Sequence, residues 1–318
     1  MANETIRTHF LNHGFLPVGT DAYDLFSRYE DGNILQEKSA VIACAWALSS
    51  RALYAVLEDW LCCVFFFDIR TPYFVLYRGQ SSVPLQRIID KLYILSMESG
   101  LKEFRVECIE RRLLKDYLLV GGYEKKVSCL ERDNEYVYKT DELLNLTGRF
   151  NYKKRTTCKK FSKMTDLSIV PVNKSNFALC REVEKTWCEE HDCAHCRSFY
   201  GCEKEALELM AEIFDENRHF GLVAVAKDRP AGYTICQKIN ESLAFLYFGK
   251  GNMQQLYAYL IYKTFEKYVQ AECMNISDDL GMKGLRTFKN ELSRHELWPR
   301  YSCVYSREFG TCPAGDSR

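Results

Sequence analysis

The chain has 318 residues, of which 47% are hydrophobic and 27% charged, and its 43 basic and 43 acidic side chains give zero formal net charge. This composition is typical of a globular protein long enough for two domains, and it excludes a nucleic-acid partner held by overall charge alone. The N-terminus has no apolar core, and the apolar runs are far shorter than the roughly 20 residues that span a bilayer. We therefore expect a cytoplasmic protein with no transmembrane segment, whose 15 cysteines are reduced.

The first half of the chain predicts helices and strands in alternation after a weakly structured lead over residues 1–20. Ser39 is a good cap for the second helix, and the helix after Pro84 keeps apolar residues at helical spacing until Gly100. The aromatic stripe over residues 65–77 is expected to be core rather than a base-stacking surface. The predicted helices are 21–29, 39–48, 84–99 and 110–119, and the predicted strands are 51–57, 61–67, 71–76, 103–108, 123–130 and 136–138.

The second half repeats the order of elements found in the first. It predicts a strand, two helices, a three-stranded meander, a long helix, and then strand, helix, strand. In sequence these elements cover 167–172, 176–190, 203–217, 222–226, 231–237, 243–248, 253–270, 273–276, 283–292 and 302–306. The repetition predicts two domains, at residues 1–147 and 148–318.

A basic stretch joins the two predicted halves. Thr140 is expected to cap a short helix that runs through Leu146 and ends at Gly148. A second helix then carries the basic residues Lys153, Lys154, Arg155, Lys159, Lys160 and Lys163, preceded by Tyr152. Such a helix can neutralise several phosphates, and Tyr152 can stack on a base. The alternative is a charged linker helix that only faces water.

The repeated order resembles a tandem of GCN5-related acyltransferase (GNAT) domains, and two motifs narrow the resemblance. Tyr136-Val137-Tyr138, Leu143, Leu146, Gly148, Tyr152, Lys154-Arg155 and Phe161 look like the central signature of the DUF2156 family, and the run NISDDLGMKGLRTFK over residues 275–289 is a second match. The resemblance covers nearly the whole chain. It implies an α/β (α+β) fold with two mixed central sheets flanked by helices.

DUF2156 proteins are similar to the catalytic C-terminal domain of phosphatidylglycerol lysyltransferases. The resemblance therefore implies transfer of an aminoacyl group from aminoacyl-tRNA to a small amine or hydroxyl acceptor. Lipid-modifying relatives carry a large membrane domain, and its absence from this sequence favours a soluble small-molecule acceptor. In this interpretation the tRNA is bound by Tyr152, Lys153, Lys154, Arg155 and Lys250.

The residues Asp278, Asp279, Arg286 and Lys289 are the catalytic candidates. The two carboxylates follow a strand at its carboxyl end, where open α/β sheets place ligands. Asp278 or Asp279 can hold the aminoacyl ammonium, while Arg286 or Lys289 can stabilise developing negative charge. The structural alternative is that an aspartate caps the turn and pairs with Arg286.

The run Gly249-Lys250-Gly251-Asn252 raises two further possibilities. A helix N-terminus behind it would receive the pyrophosphate of coenzyme A, which would make the protein an acyl-CoA-dependent N-acyltransferase. The DUF2156 family tends to have Glu-Lys where this chain has Gly249-Lys250. If that glutamate is catalytic in relatives, the chain is a non-catalytic binding protein of the same fold or performs a variant reaction.

A cysteine cluster raises the possibility of a structural zinc. Cys193 and Cys196 have the spacing of a metal knuckle, and Cys188, Cys202 or His191 can complete four ligands. The chain has only one such Cys-x2-Cys pair, so free thiols in a loop between two helices are the alternative.

Overall fold

The computed structural model describes residues 2–30, 32–67, 71–80, 82–191, 203–268 and 271–307. The helices are α1 (Ala2–Asn12), α2 (Tyr23–Arg28), α3 (Ala40–Ala45), α4 (Ala47–Ser50), α5 (Leu85–Glu98), α6 (Leu114–Leu119), α7 (Thr140–Leu144), α8 (Tyr152–Ser162), α9 (Phe177–Glu190), α10 (Glu203–Ile213), α11 (Leu256–Tyr268) and α12 (Lys283–Leu292). The strands are β1 (Leu16–Pro17), β2 (Leu53–Leu57), β3 (Trp60–Phe65), β4 (Tyr73–Arg78), β5 (Phe104–Glu110), β6 (Tyr123–Ser128), β7 (Glu135–Lys139), β8 (Leu167–Pro171), β9 (His219–Ala226), β10 (Arg229–Lys238), β11 (Leu243–Gly251), β12 (Cys273–Asn275), β13 (Glu296–Trp298) and β14 (Arg300–Arg307).

The described residues form two compact units, each built on one seven-stranded mixed sheet. The first unit contains residues 2–18, 51–130 and 300–307, and the second contains residues 19–50 and 131–299 apart from the undescribed positions. This arrangement agrees with the α/β class that the sequence predicts. None of the described helices is long and apolar enough to span a bilayer.

The first sheet has the strand order β1-β2-β3-β4-β5-β14-β6. Strands β1 to β4 are antiparallel neighbours, β4 and β5 are parallel, and β14 runs antiparallel to both β5 and β6. Glu58 and Asp59 both have positive φ, 51° and 67°, as a tight two-residue turn between β2 and β3 requires. The aromatic stripe is confirmed as core, because Phe66 and Phe74 are fully buried and Tyr77 is 1% exposed.

The second sheet has the order β13-β7-β12-β11-β10-β9-β8 and repeats the first one. Four antiparallel strands, β8 to β11, are followed by a parallel pair, β11 and β12, and then by two antiparallel strands. Helix α11 packs on this sheet with Leu256, Leu260 and Phe265 fully buried. The repeat of secondary structure that the sequence predicts is therefore also a repeat of strand pairing.

The two units differ from the predicted domains in how the chain is divided between them. Strand β7 precedes residue 147 but pairs with β12 of the second sheet, and the final strand β14 pairs with β5 of the first sheet. Residues 19–50 also belong to the second unit. The predicted division at residue 147 falls inside that unit, because strand pairing over such long sequence separations leaves no mark on local hydrophobic patterns.

Several predicted elements need correction. The lead over residues 1–20 contains α1 and β1, and the short strand β13 was not predicted. Ser39 is confirmed as a cap, since its hydroxyl accepts from the Ile42 amide at 3.2 Å. Thr140 does not cap α7: it is the first residue of that helix, and its buried hydroxyl has no hydrogen-bond partner among the described residues. That helix also ends at Leu144 rather than at Leu146.

Candidate active site

The second sheet opens beyond the short pairing of its two parallel strands. Strand β11 pairs with β12 from Leu243 to Phe245 only, and β11 then continues alone on that side to Gly251. Residues 34–38 lie in the opening. Gln36 donates from Nε2 to the Leu246 carbonyl at 2.9 Å, and Asn275 donates from Nδ2 to the Ile34 carbonyl at 3.2 Å. Backbone groups that the divergence would expose are thus paired by a segment far away in sequence.

Glu135 holds this segment in place from the first position of β7. Its carboxylate is fully buried and accepts from the Gln36 amide at 2.8 Å, the Glu37 amide at 3.3 Å and Asn275 Nδ2 at 2.5 Å. Glu37 extends the network, because its carboxylate accepts from the Ser277 hydroxyl at 3.1 Å. Neither Glu135 nor Gln36 stands out in the sequence as a site residue. The only signal was that Glu135 and Asn275 border the two family motifs.

The acidic turn over residues 276–281 follows β12. Ser277, Leu280 and Gly281 have positive φ, and Asp278 accepts through Oδ1 from the Leu280 amide at 3.0 Å. Lys289 binds the backbone of this turn through its ammonium group. Its ammonium donates to the carbonyls of Ile276 at 2.5 Å, Ser277 at 3.1 Å and Asp278. This set of bonds fixes the turn in one conformation.

Asp279 is the centre of a saturated carboxylate site. Oδ2 accepts from Tyr136 Oη at 2.9 Å and from Arg286 Nε at 2.7 Å, while Oδ1 accepts from the Gly281 amide at 2.8 Å and from Arg286 Nη2 at 3.2 Å. Burial alone would raise the pKa of Asp279, but the hydrogen bonds from Arg286 and Tyr136 outweigh it and hold the pKa below its usual value. Burial, and then the bond to Asp279, raise the pKa of Tyr136 to about 12.

The four catalytic candidates therefore occupy different environments. Asp279 is 1% exposed and uses its carboxylate within the turn, which matches the structural alternative in which an aspartate pairs with Arg286. Lys289 is 4% exposed, and burial lowers its pKa to about 8. Asp278 is 3% exposed. The Arg286 side chain is 41% exposed, and two of its nitrogens are fixed by Asp279. Arg286 is thus the member of this group that can reach a ligand.

Lys154 points into the protein from helix α8. It is 5% exposed, and its ammonium donates to the Leu143 carbonyl at 2.7 Å, more distantly to the carbonyls of Glu142 and Asn145, and to the Ser293 hydroxyl at 3.4 Å. Burial lowers the pKa of Lys154 to about 8. Its position satisfies the last carbonyls of α7, so in this conformation the side chain is not available to a phosphate.

An exposed surface that combines cations and aromatic rings surrounds the start of α8. Phe150 is 58% exposed and Tyr152 is 65% exposed. We call the surface formed by these two rings and by the side chains of Arg149, Lys153, Arg155 and Arg294 the α8 surface. Five of these residues, all except Arg294, line an open depression of about 610 Å³. The guanidinium of Arg155 lies over the Tyr152 ring at 5.9 Å, and that of Arg294 lies over the Phe150 ring at 5.7 Å. Lys159, Lys160 and Lys163 extend the exposed positive charge along the helix.

The family model described as "Phosphatidylglycerol lysyltransferase, C-terminal" matches residues 84–304, which is more than half of the chain. The chain belongs to this family. The resemblance to DUF2156 is thereby confirmed, and the two mixed sheets flanked by helices agree with the α/β fold class that the sequence predicts. No curated protein matches the sequence at a significant level.

Solved structures share the fold of this lysyltransferase-family chain at low sequence identity. A conserved protein of unknown function from Bacteroides thetaiotaomicron VPI-5482 has a TM-score of 0.81 at 18% identity, over 92% of this chain and 99% of that one. L-PGS from Bacillus licheniformis has a TM-score of 0.65 at 13% identity, and the match covers 92% of this chain and 93% of that one. A DUF2156 C-terminal domain from Agrobacterium fabrum has a TM-score of 0.62 at 12% identity, and the match covers 89% of this chain and 92% of that one.

Lys250 lies apart from the α8 surface in a cluster of carboxylates and aromatic rings. Its ammonium pairs with Glu203 and lies 5.6 Å from the centre of the Trp187 ring. Glu184 is 1% exposed and accepts from Tyr233 Oη at 3.0 Å. Burial and the nearby Glu203 raise the pKa of Glu184 to about 7. Lys250 is therefore neutralised by carboxylates rather than presented to a polyanion. No pattern in the sequence indicated a role for Glu184 or Glu203.

The departure from the family pattern at Gly249 has a steric cause in this chain. Gly249 lies inside β11 and not in a loop before a helix. A Cβ at this position would lie 2.3 Å from Tyr257 Cε2, and the Tyr257 ring is itself stacked on Phe288 with centroids 5.2 Å apart. The space a glutamate side chain would need is occupied by Tyr257.

We expect Gly249→Ala to lower the free energy of unfolding by about 1–3 kcal/mol, because the new methyl group overpacks against Tyr257. The same change in a Tyr257→Leu background should cost less than about 0.5 kcal/mol, since the ring edge is gone. Urea denaturation of the four proteins in this double-mutant cycle measures both values. Equal costs in the two backgrounds would show that Tyr257 does not exclude a side chain at position 249.

The proposed zinc cluster lies largely outside the described residues. Cys193, Cys196 and Cys202 fall within residues 192–202. Cys188 is half-buried on α9, with its thiol 3.9 Å from Glu184 Oε1, and the His191 ring stacks on Trp187 with centroids 3.8 Å apart. Each cysteine in the described ranges is a free thiol. The zinc site stays a prediction.

Proposed function

We propose that this protein transfers an aminoacyl group from an aminoacyl-tRNA to a small amine or hydroxyl acceptor. The observation that carries the proposal is the α8 surface, where exposed Phe150 and Tyr152 are interleaved with basic side chains. Unpaired nucleotides, such as those at the acceptor end of a tRNA, are bound through stacking of bases on aromatic rings and through cations that contact phosphates. Membership of a lysyltransferase family supports the same reaction class.

The α8 surface and the acidic turn are connected by one helix. Lys153 Nζ lies 3.0 Å from Glu291 Oε1 in the last turn of α12, and Arg286 lies five residues earlier in that helix. At 1.5 Å per residue this separation is about 7.5 Å along the helix axis. The proposal requires that a terminal nucleotide bound at the α8 surface extends its aminoacyl ester along α12 to Arg286.

In the reaction the acceptor's nitrogen or oxygen attacks the carbonyl carbon of the aminoacyl ester. The new bond forms as the ester bond to the terminal ribose breaks, and the proton lost by the acceptor ends on the ribose oxygen. Negative charge develops on the carbonyl oxygen in the transition state. Arg286, oriented by Asp279, is placed to donate to that oxygen.

The remaining candidates take positioning roles in this proposal. Lys289 holds the acidic turn through three backbone carbonyls, and Lys154 holds the end of α7. Asp278 lies within the turn that Lys289 fixes. The exposed side chains of Tyr152 and Lys153 contact the tRNA. Arg155 is half-buried and donates from Nη1 to the carbonyls of Leu146 at 2.7 Å and Gly148 at 2.6 Å, so it reaches the tRNA with its remaining donors. Lys250 belongs to the separate carboxylate cluster.

Binding of coenzyme A at Gly249 is the competing proposal, and the geometry there disfavours it. Gly249 and Gly251 belong to β11, and a Cβ on Gly251 would lie 2.7 Å from the Tyr257 amide nitrogen. The glycines thus allow α11 to pack closely on the strand rather than allowing a pyrophosphate to approach the backbone.

A transfer assay tests the proposal directly. The purified chain is incubated with tRNA carrying radiolabelled amino acids and with a mixture of amine acceptors, and products are separated after mild alkaline hydrolysis of the remaining ester. We expect a labelled product that survives alkali as an amide. A thermal-shift screen with deacylated tRNA and coenzyme A runs in parallel. Stabilisation by coenzyme A and not by tRNA, without labelled product, would overturn the proposal.

We expect Arg149→Ala and Lys153→Ala each to weaken tRNA binding and to reduce the slope of log affinity against log salt by about 1, because each removes one phosphate contact. Lys204→Ala is the matched control, since Lys204 is an exposed lysine on α10 of the same unit. Fluorescence anisotropy over a salt series measures both quantities. If Lys204→Ala changed the slope as much as Lys153→Ala, tRNA would bind to the exposed cations in general and not to the α8 surface in particular.

A further inference from the structure

Two histidines and a glutamate come together on the first unit, which contains none of the candidate active-site residues. His9 and His13 are four residues apart on α1, a spacing that places both on one helix face. Glu98 lies at the end of α5. One ligand atom from each of the three side chains lies within 4.8 Å of the other two.

One of the two histidine rings, that of His13, is held by a hydrogen bond to the backbone. His13 Nδ1 lies 2.8 Å from the carbonyl oxygen of His9, and since a carbonyl only accepts, that nitrogen carries the proton. His13 Nε2 then keeps its lone pair free for a metal. A hydrogen bond from the second ring nitrogen to a carbonyl is the outer-shell contact that typically fixes a ligating histidine.

His9 provides an independent indication of a missing partner. Its Nε2 is buried and makes no hydrogen bond within the part of the chain that the structure describes. A buried polar atom without a partner is costly, so such an atom usually marks an interaction with water, an ion or a ligand. The two rings lie side by side, with centroids 4.2 Å apart and an interplanar angle of 34°.

The geometry points to a divalent transition-metal site formed by His9, His13 and Glu98, with zinc or a neighbouring first-row ion as its occupant. Two imidazoles and one carboxylate are a ligand set that suits zinc, and water would supply the fourth position. Ligand atoms on one tetrahedral zinc lie roughly 3.4 Å apart. The ligand atoms already lie within 4.8 Å of one another, and the exposed His13 and Glu98 side chains are the ones that would rotate to close the site. The ion would fasten the C-terminal turn of α1 to the end of α5.

Cobalt titration of the full chain tests this site. The protein is prepared without a polyhistidine tag, stripped with a chelator and titrated with CoCl₂ while visible absorption is recorded, and zinc is then used in competition. We expect one high-affinity cobalt per chain in this nitrogen and oxygen environment. His13→Ala and Glu98→Gln should each weaken binding by at least about 100-fold, the upper end of the loss seen for outer-shell partners.

Both variants change exposed side chains, so folding is retained, and Thr8→Ala on the same helix is the control that should bind cobalt normally. Zinc should raise the melting temperature of the wild type and Thr8→Ala, but not that of the two ligand variants. Absence of binding would overturn the site. The site would also be overturned if both ligand variants bound cobalt with the wild-type affinity and showed a sulfur-to-cobalt charge-transfer band. The cysteines would then be the ligands.

Discussion

Arg286→Ala is expected to lower kcat for aminoacyl transfer by about 100- to 1000-fold, which is the typical effect of removing one donor to a developing oxyanion. The affinity for tRNA should stay within about twofold, because the phosphates are bound by the α8 surface. The physical reason lies in orientation. Asp279 fixes Nε and Nη2 of the guanidinium, so its remaining donors face outward in a fixed direction.

Arg286→Lys should recover only part of the activity lost in Arg286→Ala, since an ammonium carries the charge but cannot keep the two-point contact with Asp279. Lys283→Ala is the matched control: Lys283 is an exposed cation at the start of the same helix. Single-turnover rates with saturating protein separate chemistry from tRNA binding. Transfer by Arg286→Ala at the wild-type rate would remove Arg286 from the mechanism.

The order of secondary structure could be predicted because each element carries its own local signal. Helix α5 has an apolar face and a glycine stop with φ of 90° at Gly100, and α3 has a serine cap. The exchange of β7 and β14 between the two sheets has no such signal. Tyr305 opposes Phe104 and Cys273 opposes Lys139, and nothing in the hydrophobic pattern of either segment selects its partner.

The motifs located the candidate site, but charge alone did not show which way each side chain points. Lys154, Thr157 and Phe161 are the buried residues of α8, and they follow the three- and four-residue spacing of one helix face. Placing Lys154 on the face of Phe161 would have separated it from Lys153 and Arg155. Lys289 faces inward from α12 in the same way, and its three carbonyl partners come from a turn whose shape the sequence does not specify.

The segment over residues 34–38 could not be placed at all from the sequence. It lies about one hundred residues before Glu135 and more than two hundred before Leu246, and it has no regular hydrophobic period. Its position depends on single hydrogen bonds to Glu135, Asn275 and Leu246. Such contacts are specified by the complete fold and not by local propensity, so the network became visible only in the structure.

We expect Glu135→Gln to lower the free energy of unfolding by about 1.5–3 kcal/mol, the usual contribution of hydrogen bonds to a charged group. The carboxylate accepts from three N–H groups and lies among elements that all belong to the second unit. A glutamine of the same size turns one acceptor into a donor, and that donor then faces the amides of Gln36 and Glu37 or the amide group of Asn275. Lys289 also loses a nearby negative charge that favours its protonated form.

Urea denaturation gives the change in unfolding free energy, and hydrogen exchange shows where it arises. The amides of Gln36 and Glu37 should lose protection in Glu135→Gln, because their acceptor is gone and residues 34–38 can leave the opening beside β11. Glu296 is an exposed residue of β13 that opposes Val137 of β7, and Glu296→Gln should change stability by less than about 0.5 kcal/mol. A loss below about 1 kcal/mol in Glu135→Gln, with both amides still protected, would mean that the segment is held by packing rather than by this carboxylate.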